Sequence, residues 1–415
     1  MAVPTTTIAG RGEMIFKQET TACAAIADPT TYWAATPKPL RAWDVDLSGL
    51  KYKSEKDPAL RPFAWMRSAQ IMMAKEQAIK AKCWLHGLNQ TGAYGTAVTQ
   101  DNFGMMLLSA MGGESLGTTR YCAAGSSPTV VKVDSATGLS AGQAVYINHE
   151  ARQILSISGV DLTLDMALSA SPSASDLCYA SATYYLEADH LSNLADANHT
   201  TLACLYRGYA ATDQWQMRGV VPEIELSDIA PGKPATVELN LLGQDWENVT
   251  GPSWGVAPTE APPPVQVSST AGLYYQTVGV TTKNFVHCRS LAIKLNQKRV
   301  ALESPSGNQG IIGHACFGDA YPSIEWEDAF SVDYETAYEA QTNKFFGYQL
   351  GKSTTSLGAV LITGQCLYLE DSPHASSKNG ERVVKPKFFA SRHATAAYDP
   401  IRSPIAIHRF PKLAA

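Results

Sequence analysis

Charge is scarce in this sequence. Only 17% of its 415 residues are Asp, Glu, Lys or Arg, against about 25% in an average soluble domain. The formal net charge is −5, so the basic footprint needed for tight binding to duplex nucleic acid is missing. Long apolar runs are missing too. The greasiest stretch, Gly104–Gly113, is far too short to span a bilayer, and Met1–Gly12 lacks the apolar centre of a secretory signal. None of the eight cysteines stands in a CxxC pair; scattered singles of this kind read as reduced, mostly buried thiols. The expectation is a chain made and folded in a cytoplasm, with no membrane segment.

What is present is apolar and β-patterned. Hydrophobic residues make up 45%, which excludes a disordered chain, and the length allows two to three domains at about 150 residues each. Ile224 and Leu226 alternate with Glu223, Glu225 and Ser227. A turn rich in Pro and Gly (Pro231, Gly232, Pro234) then leads to Val237, Leu239 and Leu241. This period of two on both sides of a turn predicts an antiparallel hairpin with one buried face. Leu291, Ile293 and Leu295 repeat the pattern, as do Ile324 and Trp326, while Val360–Ile362 and Leu367–Leu369 read as two more deeply buried strands.

Two helices are predicted among the strands. Phe103, Met106, Leu107 and Ala110 share a helical face, with Asp101 or Asn102 as the cap and Gly112–Gly113 as the stop. In the second, Asp333 caps a run in which Tyr334, Ala337, Tyr338 and Phe345 share a face, ending at Gly351. Each follows a strand-rich stretch, Ile79–Leu88 and Ile311–Phe330, and each precedes further strands. This predicts a duplicated unit: residues 1–125 with 176–251, and residues 265–415. Between the parts of the first unit, residues 126–175 carry short strands at Val130–Val133, Ala144–Ile147, Ile154–Ile157 and Leu162–Leu164. They predict a small β module inserted in a surface loop, removable without loss of the core. Residues 252–264, with Pro258 and Pro262–Pro264, read as a stiff extended linker.

No catalytic, cofactor or metal constellation emerges. Gly347–Ser353 (Gly-Tyr-Gln-Leu-Gly-Lys-Ser) has three residues between its glycines where a phosphate loop needs four, and the predicted element before it is a helix rather than a strand. Gly10-Arg-Gly12 has no third glycine. His287–Cys288 and His314-Ala-Cys316 each pair two ligand types, but no second pair lies at metal-site spacing. His149–Glu150 lacks the second histidine of a zinc-protease helix. Carboxylates cluster at Glu325, Glu327 and Asp328 and again at Glu223, Glu225 and Asp228; Glu325 and Glu327 alternate with Ile324 and Trp326, which reads as a solvated strand face. If such a face lined a channel, it would repel a passing polyanion. Trp43, Trp65, Trp84, Trp215, Trp246, Trp254 and Trp326 are spread along the chain, which favours packing. The one modest basic cluster is Lys294, Lys298 and Arg299.

The stretch Tyr206–Trp246 carries a family resemblance. Its Gly219–Asp228 strand (Gly-Val-Val-Pro-Glu-Ile-Glu-Leu-Ser-Asp) and its Gly232–Gly243 strand (Gly-Lys-Pro-Ala-Thr-Val-Glu-Leu-Asn-Leu-Leu-Gly) resemble the tail tube (major tail) proteins of long-tailed bacteriophages. The helix Gln100–Gly113 looks like that family's single helix. Val131–Asp134 and Gly138–Val145 look like small β modules of phage tail proteins. Family members are often about half this length, which fits two copies of the unit. The resemblance implies mainly β, tail-tube-like β-sandwich/barrel units, each with a flanking α-helix. It also implies a non-enzymatic virion protein that stacks in rings as the conduit for genome delivery. With two units per chain, three chains are favoured over six per ring, giving a trimer with pseudo-sixfold symmetry. The implied partners are further copies of the chain and tape measure, tail terminator and distal tail proteins, with viral DNA passing unbound and no membrane contact. The implied location is the virion tail, after assembly in the host cytoplasm. The alternative is a carbohydrate-binding phage surface or baseplate module that uses the insertion; a carboxylate glycosidase ranks third.

Overall fold

The computed structural model describes residues 11–20, 23–34, 39–56, 70–186, 201–208, 214–230, 234–249, 272–277, 285–286, 288–296, 299–308, 311–316, 322–328, 334–340, 343–371, 376–378, 380–390 and 403–414. The chain is mainly β. It opens with β1 (Arg11–Gln18), α1 (Pro29–Trp33), β2 (Leu40–Lys56), β3 (Gln70–Trp84), α2 (Asn102–Met111) and β4 (Gly112–Leu116). Then follow β5 (Arg120–Tyr121), β6 (Val130–Lys132), β7 (Ala144–Ile147), β8 (Glu150–Ser158), β9 (Asp161–Leu164) and β10 (Leu177–Ala180). The chain continues through β11 (Ala182–Leu186), β12 (Leu202–Arg207), β13 (Gln214–Ile229), β14 (Thr236–Leu242) and β15 (Asp245–Asn248). Next come β16 (Leu273–Thr277), β17 (Phe285–Val286), β18 (Cys288–Lys294), β19 (Arg299–Asn308), β20 (Ile311–Cys316), β21 (Ser323–Asp328) and α3 (Tyr334–Glu339). The last strands are β22 (Lys344–Leu350), β23 (Val360–Leu369), β24 (Ser376–Lys378), β25 (Glu381–Val383), β26 (Lys387–Ala390) and β27 (Ala406–Arg409).

Strand pairing follows two paths. One runs β1–β2–β3–β14–β13–β12 and returns to β1, antiparallel at every step. The other runs β18–β21–β26–β23–β22–β16–β17, antiparallel at every step, with β17 and β18 successive in the chain on either side of residue 287. In chain order α2 follows β3 of the first path and α3 follows β21 of the second. The paths meet where β13 pairs with β18, Glu225 facing Lys294 and Leu226 facing Ile293. One apolar core runs through both, from Phe16, Ile79 and Leu239 to Ile293, Trp326 and Phe388.

The crossing of β13 explains its motif. Up to Val220 one edge of this strand pairs with β12, and from Glu225 it pairs with β18. Pro222, which has no N–H to offer, sits in the gap between these partners. Gly219 takes φ +62 at the bend, where a Cβ would meet Gln244 within 2.7 Å. Gly364 stands at the matching place in β23: before it the strand pairs with β27, after it with β26.

The first predicted helix is found as α2. The Asp101 carboxylate caps it by accepting from the Gly104 N–H at 2.7 Å, and Gly112 ends it at φ 92. Asn102 does different work, donating to the Met14 carbonyl at 3.0 Å and accepting from the Phe16 N–H at 2.7 Å, which ties the helix to β1. The second helix is shorter than expected. It ends at Glu339, and Phe345 lies on strand β22, which is followed by Gly351 at φ 68. Phe345, Phe346 and Tyr348 are covered on both faces, so no period of two is visible and the run imitates a helix. The predicted strands Val360–Ile362 and Leu367–Leu369 are one strand, β23. Asp333 and the linker 252–264 lie outside the described residues.

The inserted module is a closed six-stranded barrel in the order β5–β10–β7–β8–β9–β6, sealed by the bridge between Cys122 and Val133. It therefore draws on strands on both sides of residues 126–175. It is also docked rather than tethered. Tyr146, Ala151, Met166 and Tyr179 of the barrel form a shared cluster with Tyr274, Phe345, Leu361 and Phe410. No described helix is long and apolar enough to cross a membrane.

Candidate functional site

Among the described residues, one polar sheet face crosses both strand paths. Residues directly opposite in adjacent strands share a face, and the register places Lys82, Glu238, Glu225, Lys294 and Ser323 in one row across β3, β14, β13, β18 and β21. Lys80, Asn240 and Glu223 form a second row, and Glu325 faces Lys387 in a third. The alternate residues of the same strands, among them Ala81, Leu239, Ile224, Ile293 and Ile324, are buried. A shallow groove of about 680 Å³ lies over the first two rows.

The three rows mix lysines with glutamates, and Lys82, Lys294 and Lys387 each lie in an ion pair. Lys82 Nζ is 3.6 Å from Asp44 and 3.7 Å from Glu238. Lys294 lies 4.0 Å from Glu225, and Lys387 lies 2.7 Å from Glu370. Asn240 donates to Glu223 at 2.6 Å. Exposed pairs of this kind contribute only about 0–1 kcal/mol each to stability. Their arrangement therefore matters for what the face meets more than for holding the fold.

The predicted solvated carboxylates divide. Glu325 is exposed on the face, as are parts of Glu223 and Glu225, but Glu327 and Asp328 are buried. A register shift between Cys288 and Ser290 opposite β21 breaks the alternation there. Glu327 pairs with Lys385 at 3.6 Å, and Asp328 accepts from the Tyr334 hydroxyl at 2.8 Å. The side chain of Asp228 lies outside the described residues.

The other motifs do not assemble into a site. Gly347 sits within a strand, and a Cβ there would meet the Tyr274 ring within 2.1 Å, so its role is close packing. Asn148 and His149 take φ 48 and φ 71 in the β7–β8 turn, the positive values a tight hairpin of type I′ requires. Gly10, His287 and Lys298, and the side chains of Arg299, His314 and Cys316, lie outside the described residues. Among the described residues no three metal-ligating side chains converge.

Three buried polar clusters were not visible in the sequence. His408 lies between the Thr183 and Thr363 hydroxyls at 2.9 Å each, and burial pushes its pKa down to about 3. Arg409 reaches Asp101 at the cap of α2 at 2.5 and 2.7 Å. Beside it, burial and then the Arg409 charge lower His86 to about 4. At the barrel dock, Asp165 accepts from the Tyr274 hydroxyl at 2.8 Å and the Gln153 N–H at 2.9 Å. Burial raises its pKa to about 6 against the opposing pull of Arg152. All three clusters join elements distant in sequence, which is why no local spacing announces them. No protein-family model matches the chain, and no curated protein matches it.

Proposed function

We infer that the chain is a structural virion subunit that assembles into stacked rings, the tail tube through which a viral genome is delivered. The observation that carries this reading is the continuous charged face running across both strand paths through the β13–β18 junction. A channel wall for a polyanion should not grip it through free cations, and on this face Lys82, Lys294 and Lys387 are each coupled to a carboxylate. The two paths repeat the same pairing order with a helix in the same place, which supports a duplicated unit. Two units per chain then favour three chains per ring with pseudo-sixfold symmetry.

Stacking of such rings along an axis is heterologous and open-ended, so it generates a filament. The role needs no catalytic group. In this reading the barrel decorates the tube exterior, and tape measure, terminator and distal tail proteins meet the tube along its length and ends. Negative-stain electron microscopy of the concentrated, purified protein tests the reading. Hollow filaments are expected, and a population of single globular particles under all assembly conditions overturns it.

A further inference from the structure

The two strand paths differ at one place. In the second, the edge of β18 beyond its β17 neighbour is occupied by β13, through Glu225 with Lys294, Leu226 with Ile293 and Ile229 with Leu291. Leu291 and Ile293 are consequently buried. The corresponding edge in the first path belongs to β2. There β1 covers only Leu40–Trp43, and past Trp43 the register of β2 among the described residues is with β3 alone. Val45, Leu47 and Leu50 pack against the core yet stay partly exposed, as side chains do beside a missing neighbour.

The reciprocal edge lies at the end of β23. This strand matches β13: each bends at a glycine and exchanges one partner for another there. Beyond its bend β13 supplies the junction strand. Beyond Gly364, β23 pairs with β22 only as far as Leu367, and Tyr368 and Leu369 are paired on the β26 side alone. Among the described residues, one chain thus carries one open edge of each kind, and open edges are templates for pairing with another chain.

We propose that these edges are the two halves of one interface: the end of β23 with the two residues that follow it, Tyr368–Asp371, pairs antiparallel with residues 45–50 of β2 in a second copy of the chain, repeating between copies the β13–β18 junction made within each. The partner is chosen by the internal template. β13 meets β18 with a register shift between Leu226 and Ile229, and β2 carries register shifts between Trp43 and Asp46 and between Asp46 and Gly49. A bent edge of this kind accepts a strand of matching bend and resists indiscriminate pairing. Each copy offers one edge of each type, so the contact is heterologous and makes a ring when the rotation between copies closes, as the ring reading requires. This inference rests on the ring reading above and names the residues that close the ring.

Ser48 and Glu370 are exposed positions at the two edges. The full-length chain carrying both Ser48→Cys and Glu370→Cys, assembled and treated with a short bis-maleimide, tests the contact on a denaturing gel. The expected result is covalent dimers and trimers from the double variant, with neither single variant exceeding the background of the parent chain. Tubes that form without these products overturn the edge assignment and leave the tube reading standing. Absence of any assembly by the parent chain overturns both.

Discussion

Replacing His408 with glutamine separates two effects of one buried side chain. In the folded chain the imidazole is fully buried, shared between Thr183 and Thr363, and held neutral with its pKa near 3. The unfolded chain titrates near 6.5. A group with a depressed folded pKa contributes stability that is complete above the unfolded value and is lost as pH falls toward the folded one. Between pH 6.5 and pH 4.5 the loss is two pH units at about 1.4 kcal/mol each, or about 3 kcal/mol. The substituted amide cannot titrate, so the His408→Gln variant starts lower at pH 7.5, by about 1–3 kcal/mol for disturbed hydrogen bonds, yet falls less on acidification. Urea unfolding of both proteins at pH 7.5 and 4.5 reads this directly. His86 titrates in both and cancels from the comparison. An equal loss of stability in the two proteins would refute the assignment of His408 as a neutral buried link.

Asp165→Asn should show the opposite sign. The raised pKa of Asp165, about 6, gives stability that is full below about pH 4 and lost as pH rises through 6, so the variant should lose less than the parent between pH 4 and 7.5 in thermal melts. Glu325→Gln should stay within about 0.5 kcal/mol of the parent. Glu327→Gln, which leaves a buried position without its ion pair to Lys385, should cost about 1–3 kcal/mol in the same urea assay. Gly347→Ala drives a methyl into the Tyr274 ring, and a lowered melting temperature equivalent to about 1–3 kcal/mol is expected. Replacing residues 126–175 with a Gly/Ser linker removes four barrel strands and uncovers Tyr274, Phe345, Leu361 and Phe410. Loss of a cooperative calorimetric transition is expected, contrary to a freely removable insertion.

Strands that cover the core with one face were legible. Ile224 and Leu226 face Leu239 and Val237 across the β13–β14 hairpin as their alternation requires, and α2 has its expected cap and stop. Strand β22 was hidden because both faces are buried, which removes the period that distinguishes strand from helix. The barrel was legible as short strands, but its closure by Arg120–Tyr121 and Leu177–Ala180 was not, because two-residue pairings leave no pattern. The polar face was half legible. Glu223 and Glu225 could be placed on a solvated side, whereas the row joining them to Lys82 and Lys294 depends on register between strands far apart in sequence. Asp165, His408 and Arg409 had no local signal at all, since their partners come from other strands and from the α2 cap.

The central claim is that two equivalent units in each chain build a ring around a charged lumen. Symmetry analysis of electron micrographs of the assembled protein, with the number of chains per ring set by mass per length, tests it most directly. Three chains per ring are predicted, with a pseudo-sixfold inner wall in which the row of Lys82, Glu238, Glu225 and Lys294 recurs once per chain. Six identical chains per ring, or a filament without an axial channel, would contradict it.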